Sequence, residues 1–176
     1  MKLFIAPHND DEALFGAFSI LRDRPLVLIV TDSARQASKG ITADERRKET
    51  LAAMNILGAK VEFLGIPDAA LNAGNFLGQI REFLEAFGPL DHIYSPAFEL
   101  NGNVDHNVIA GVGLTGPVTR YLTYTTHGKS RSAVEVPFEK DWPLLKLKAL
   151  ACYESQLREP STRYHFLRSQ LEYYQA

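Results

Sequence analysis

Residues Pro7-His8-Asn9-Asp10-Asp11-Glu12 put one histidine beside three consecutive acids. Adjacent carboxylates repel, and a packed turn is a costly place to keep them ionised. An acidic helix start accounts for Glu12 alone, because a helix N-terminus favours negative charge. It leaves Asp10 and Asp11 beside an imidazole unexplained. A bound cation would offset the repulsion and take imidazole nitrogen and carboxylate oxygen as ligands. A third ligand is at hand in Asn103-Val104-Asp105-His106. His8, Asp11 and His106 would together form a His-Asp-His set with positions left for water and substrate, which is the ligand logic of catalytic zinc. The remaining histidines are weaker candidates. His92 and His165 read as ordinary histidines, and His127, in Thr126-His127-Gly128-Lys129, stays a minor substrate-side candidate.

Such a site needs a frame, and the patterning supplies one. Leu3 to Ala6 is a short apolar run closed by Pro7, which suits a buried strand. Glu12 to Leu21 carries Leu14, Phe15, Phe18 and Leu21 at helical spacing. Leu26 to Val30 predicts a second buried strand, broken by Thr31, Asp32 and Ser33. Thr42 and Glu45 form a capping-box pattern that opens a helix ending near Leu57, before Gly58. Val61 to Leu64 predicts a third strand, Phe76 to Phe87 a helix, and His92 to Ser95 a fourth strand that stops at Pro96. A short helix after Asp105, β-rich residues from Val118 to Tyr124, a short strand within Val134 to Phe138 and a helix from Trp142 to Gln156 complete the pattern.

Alternating strands and helices specify an α/β fold, a three-layer Rossmann-like sandwich with a mostly parallel central sheet. In such sheets ligands sit outside the carboxyl ends of the strands. The candidate segments are therefore Pro7 to Glu12, Thr31 to Arg35, Gly65 to Asp68 and Pro96 to His106. No repeat or linker divides the chain, so residues 1–176 are expected to form one domain.

Composition narrows the partners. Apolar residues make up 45% and charged residues 23%, with a net charge of −2, so no electrostatic footprint of a nucleic-acid binder is present. The lone Cys152 can form no internal disulfide and no CxxC thiolate site. No run approaches the roughly 18 apolar residues of a membrane span, and the short run after Lys2 is no signal-peptide core. A soluble, cytoplasmic protein is expected. The aromatic tail from Tyr164 to Tyr174 could pack on its own core or on a second copy, which would make a homo-oligomer.

The Pro-His-Asn-Asp-Asp-Glu run resembles the Pro-His-x-Asp-Asp-Glu signature of the PIG-L/LmbE-like zinc-dependent N-deacetylases. Further matches follow in order: Arg46-Arg47-Lys48-Glu49, Phe63-Leu64-Gly65-Ile66-Pro67-Asp68, Gly102-Asn103-Val104-Asp105-His106, and Lys148-Ala149-Leu150 with Ser155-Gln156. The resemblance implies His8, Asp11 and His106 as zinc ligands and Asp10 as the general base. Asp105 would orient a neighbouring imidazole or steady its loop, and Arg46 would either contact substrate or lie on a solvated helix face. The substrate implied is a small N-acetylated sugar or glycoconjugate. Asn103 stands where the family has a histidine, so it could donate a hydrogen bond to an oxyanion but deliver no proton. That substitution keeps open an alternative, a sugar-binding or regulatory module with weak or no turnover. A Mg²⁺-dependent phosphoryl-transfer site built on Asp10, Asp11 and Glu12 fits less well, since two of the proposed ligands are imidazoles and neither a P-loop nor GxGxxG is present.

Overall fold

Five parallel strands form the body of the sheet: β1 (Lys2–Ala6), β2 (Leu26–Thr31), β3 (Val61–Ile66), β4 (Leu90–Pro96) and β5 (Val118–Tyr124). Two short antiparallel strands, β6 (Val134–Glu135) and β7 (Tyr173–Gln175), extend it, giving the order β3-β2-β1-β4-β5-β7-β6. The helices are α1 (Asp11–Phe15), α2 (Ala17–Asp23), α3 (Ala43–Leu57), α4 (Ala73–Phe87), α5 (Val104–Val112), α6 (Trp142–Ala151) and α7 (Glu154–Leu157). This computed structural model describes residues 1–34, 40–100, 102–112, 118–126, 133–160, 163, 166 and 171–175. His127 and His165 lie outside the described residues.

Strand alternation divides the core into two faces. Phe4, Ala6, Val27, Ile29 and Tyr94 point to one side and pack with residues of α1, α2, α3 and α6, among them Phe18, Met54 and Leu150. Leu3, Ile5, Leu28, Val30 and Ile93 point to the other, against Phe76 and Ile80 of α4 and Ile109 of α5. The result is the three-layer α/β sandwich that the patterning predicts. Its strand order reverses between β1 and β4, and at such a switch point the loops after the two strands diverge and open a crevice. His8 follows β1, and His106 lies at the start of the helix that follows β4. The topology therefore brings together residues that are distant in the chain.

Two of the helices predicted from pattern are broken. The expected helix over 12–21 divides at Gly16, which adopts φ −128°, ψ −1°, and only glycine fits there because a Cβ would come within 2.2 Å of the buried Phe4 ring. The expected helix over 142–156 divides at Cys152 and Tyr153, where Tyr153 adopts φ −87°, ψ 61°. The helix over 43–57 follows its signals: Thr42 accepts from Glu45 N–H at its start, and Gly58 ends it in the left-handed conformation. The α4 helix begins earlier than expected, at Ala73, because Asn72 and Asn75 form a reciprocal cap. Residues 173–175 of the aromatic tail form a strand of the chain's own sheet, and Phe166 is buried in its core. No helix among the described residues is long and apolar enough to cross a membrane.

Candidate active site

The loop after β1 carries most of the predicted chemistry. Asp11 Oδ2 accepts from His8 N–H at 2.9 Å, and the same oxygen lies 3.3 Å from His8 Nδ1 and 3.1 Å from His106 Nε2. Ligand atoms of His8, Asp11 and His106 all lie within 4.8 Å of one another, and the two imidazole centroids are 5.3 Å apart. Two imidazoles and a carboxylate that converge in this way match the donor set of a catalytic zinc site. The other nitrogen of His8, Nε2, lies 2.9 Å from Asp105 Oδ2, the carboxylate–imidazole contact that commonly orients a metal-ligating histidine. The three residues thus fit a divalent cation.

Electrostatics divides the two neighbouring acids. Burial disfavours ionised Asp11, but the His106 and His8 imidazoles outweigh it and hold its pKa well below the usual carboxylate range. Asp10 goes the other way. Burial, reinforced by the Asp11 charge, pushes it up to about 7 against the pull of Arg46. Burial also opposes protonation of His8, yet its contacts with Asp105, Asp11 and Asp68 raise its pKa well above the ordinary imidazole value.

Asp10 is the N-cap of α1 and has φ 125°, a backbone conformation that L-residues rarely adopt. Such strain costs on the order of 1–3 kcal/mol and persists only where surrounding contacts over-determine it. Those contacts are present. Asp10 N–H donates to Glu12 Oε2 at 3.0 Å, and Arg46 Nη2 reaches Asp10 Oδ2 at 2.9 Å and also donates to the Asn9 carbonyl. Asn9 anchors the loop further, its N–H on Ser33 Oγ at 2.8 Å and its Nδ2 on Thr50 Oγ1 at 2.7 Å.

Arg46 is 2% exposed. The structure buries its guanidinium against Asp10, Glu49 and Ser155, in a place that is neither a solvated helix face nor open to a ligand. Asn103 is exposed, and its side-chain oxygen accepts from Asp105 N–H at 2.8 Å, which caps α5. His92 lies within β4, paired with Lys2 and away from the carboxyl ends of the strands. The site also includes residues to which no role had been assigned. Asp68, just after β3, has Oδ1 3.5 Å from His8 Nε2 and is held by its N–H on Asp32 Oδ1. Glu12, Glu49, Tyr153 and Ser155 surround the buried side of the loop. Position at the end of β3 and the Phe63 to Asp68 family match were the available signals for Asp68; nothing local in sequence marked Tyr153.

The model of the GlcNAc-PI de-N-acetylase family, PIG-L, matches residues 3–115, more than half of the chain, and the protein belongs to that family. Its fold is shared by solved structures of low identity. A conserved protein of Thermus thermophilus superposes with a TM-score of 0.77 at 21% identity, over 99% of this chain and 93% of the other. The N,N'-diacetylchitobiose deacetylase of Pyrococcus horikoshii gives 0.72 at 18% identity, over 93% and 74%. The 4-carboxy-2-hydroxymuconate hydratase of Pseudomonas putida gives 0.69 at 19% identity, over 96% and 84%. No curated protein matches. Family membership supports a deacetylase, whereas the hydratase shows that this fold by itself does not fix the reaction.

Proposed function

We propose that the protein is a zinc-dependent N-deacetylase that hydrolyses the acetamide of an N-acetylated amino sugar or a related small N-acyl compound. The observation that carries this reading is the convergence of His8, Asp11 and His106 within 4.8 Å, with a second buried carboxylate, Asp10, next in sequence. A divalent cation held there supplies Lewis acidity for the acyl oxygen and lowers the pKa of water. Asp10 accepts the proton as water adds to the amide carbon, the general-base role open to a carboxylate beside the metal site. When the C–N bond breaks, the same carboxyl returns the proton to the departing amine, so water and amide become acetate and amine. The Arg46 ion pair occupies Oδ2 of Asp10 and leaves Oδ1 for this exchange. Asp105 keeps His8 oriented through Nε2.

A second reading, a sugar-binding module with little turnover, draws on Asn103, whose side-chain oxygen is engaged in the helix cap. Metal analysis combined with an acetate-release screen over N-acetylated amino sugars separates the two. The deacetylase reading expects close to one zinc per chain and acetate from some N-acetylglucosaminide. Replacing His8 by Ala should abolish metal binding, while Asp10→Asn should keep the metal and lose at least 10²-fold in turnover. Full metal retention by a variant with His8, Asp11 and His106 all changed to Ala would refute the site.

A further inference from the structure

Asp10 is held at both ends by residues that are themselves seated on the break between α6 and α7. On the carboxylate side, Arg46 Nη1 donates to Glu49 Oε2 at 3.0 Å and to Ser155 Oγ at 3.2 Å. Ser155 fixes Glu49 in turn, its N–H on Oε1 and its Oγ on Oε2, both at 2.7 Å. On the amide side, Tyr153 donates its hydroxyl to Glu12 Oε1, while Glu12 Oε2 accepts from Asp10 N–H. The Tyr153 ring also lies 5.4 Å from the Arg46 guanidinium carbon, so one residue touches both holders. Tyr153, Ser155 and Glu12 are fully buried, which leaves these groups no water to substitute for a lost partner.

The broken helix acquires a purpose here. In a continuous helix, side chains two positions apart point to different faces, and Tyr153 could not face Glu12 while Ser155 faces Arg46 and Glu49 of α3. The turn at Tyr153 allows it. These two residues also lie outside the span 3–115 that matches the family model.

We propose that Tyr153 and Ser155 are positioning residues which, through Glu12 and through Glu49 and Arg46, fix the backbone and carboxylate of Asp10 for reaction. The inference rests on the role given to Asp10 above. Its test uses Tyr153→Phe and Ser155→Ala in the zinc-loaded protein, with N,N'-diacetylchitobiose as probe. Both variants should lose at least tenfold in kcat with KM within twofold and with unchanged zinc content. Independently of turnover, amide hydrogen exchange at Asp10 should quicken at least tenfold in Tyr153→Phe, while exchange in β1 stays as in the wild type. A merely structural role would speed exchange throughout the domain by a common factor and would overturn the proposal. So would unchanged exchange at Asp10, or a Ser155→Ala protein with wild-type kcat. If the wild type releases no acetate from the probe, the deacetylase reading on that substrate fails, and the exchange measurement still decides the positioning.

Discussion

Replacing Lys146 by Met should destabilise the protein by about 3–5 kcal/mol, the usual cost of removing one partner of a buried ion pair. The side chains of Lys146 and Glu172 are 2% and 0% exposed, and Nζ lies 2.8 Å from Glu172 Oε1. Lys146 also donates to the Leu14 carbonyl at 2.7 Å, and its ammonium sits 5.0 Å from the centre of the Phe18 ring. Glu172 accepts from Phe18 N–H at 3.0 and 2.9 Å and from Ser19 N–H at 3.4 Å. Methionine retains most of the apolar stem, so the loss reports the ammonium rather than a cavity. The remaining carboxylate keeps only its backbone donors, and the Leu14 carbonyl loses its ammonium donor. At about 2–4 °C per kcal/mol for a chain of this size, Tm should fall by about 6–20 °C. Urea titration followed by circular dichroism gives the free energy, and scanning calorimetry gives Tm. Glu172→Gln in the Lys146→Met background should recover part of the loss. A loss below about 1 kcal/mol, or strict additivity of the two single changes, would falsify the claim that this pair is a coupled buried lock.

Further outcomes follow from other contacts. Gly16→Ala should cost about 1–3 kcal/mol in urea titration despite alanine's helix preference, because its Cβ would meet Phe4 Cζ at 2.2 Å and the ring is fully buried. Asp23 is partly buried, which opposes its ionisation, but Lys2, Tyr94 and Arg22 outweigh this and lower its pKa to about 2. Its stabilising share is therefore present above about pH 4, the unfolded value, and is lost as pH falls through about 2. The stability gap between wild type and Asp23→Asn should narrow across that window, and a gap that stays constant would contradict it. Chelation should lower Tm and zinc restore it, by an amount equivalent to about 2.7 kcal/mol at a hundredfold excess over Kd. His8→Ala should remove that response.

The layers and the parallel direction of the strands were legible because buried parallel strands are continuous apolar runs, as Leu26 to Val30 shows, and because α3 carries its own start and stop in Thr42 and Gly58. The site loop was legible for a different reason: Asp10 and Asp11 make little sense beside His8 without a further charge. The hidden parts depended on distant contacts. Periodicity runs straight through Gly16, and only the Phe4 ring across the layer reveals why that position must be glycine. Arg46 sits among the charged residues that open α3, and its burial depends on Glu49, Ser155 and Asp10 meeting from three elements. The resemblance set Asn103 against a histidine, but its use as a helix cap depends on where α5 begins.

The place of β7 bears on how the chain acquires its shape during synthesis. This strand lies between β5 and β6, although both precede it in sequence. A growing polypeptide that has not reached Tyr173 therefore leaves the β5 edge bare and β6 without its neighbour, and unpaired edges of this kind invite association with other chains. Glu172, one residue earlier, is the carboxylate that meets Lys146 and the first amides of α2. Synthesis of residues 172–175 thus closes one flank of the sheet and neutralises a buried ammonium together, whereas the crevice side of β1 and β4 is assembled from residues made well before.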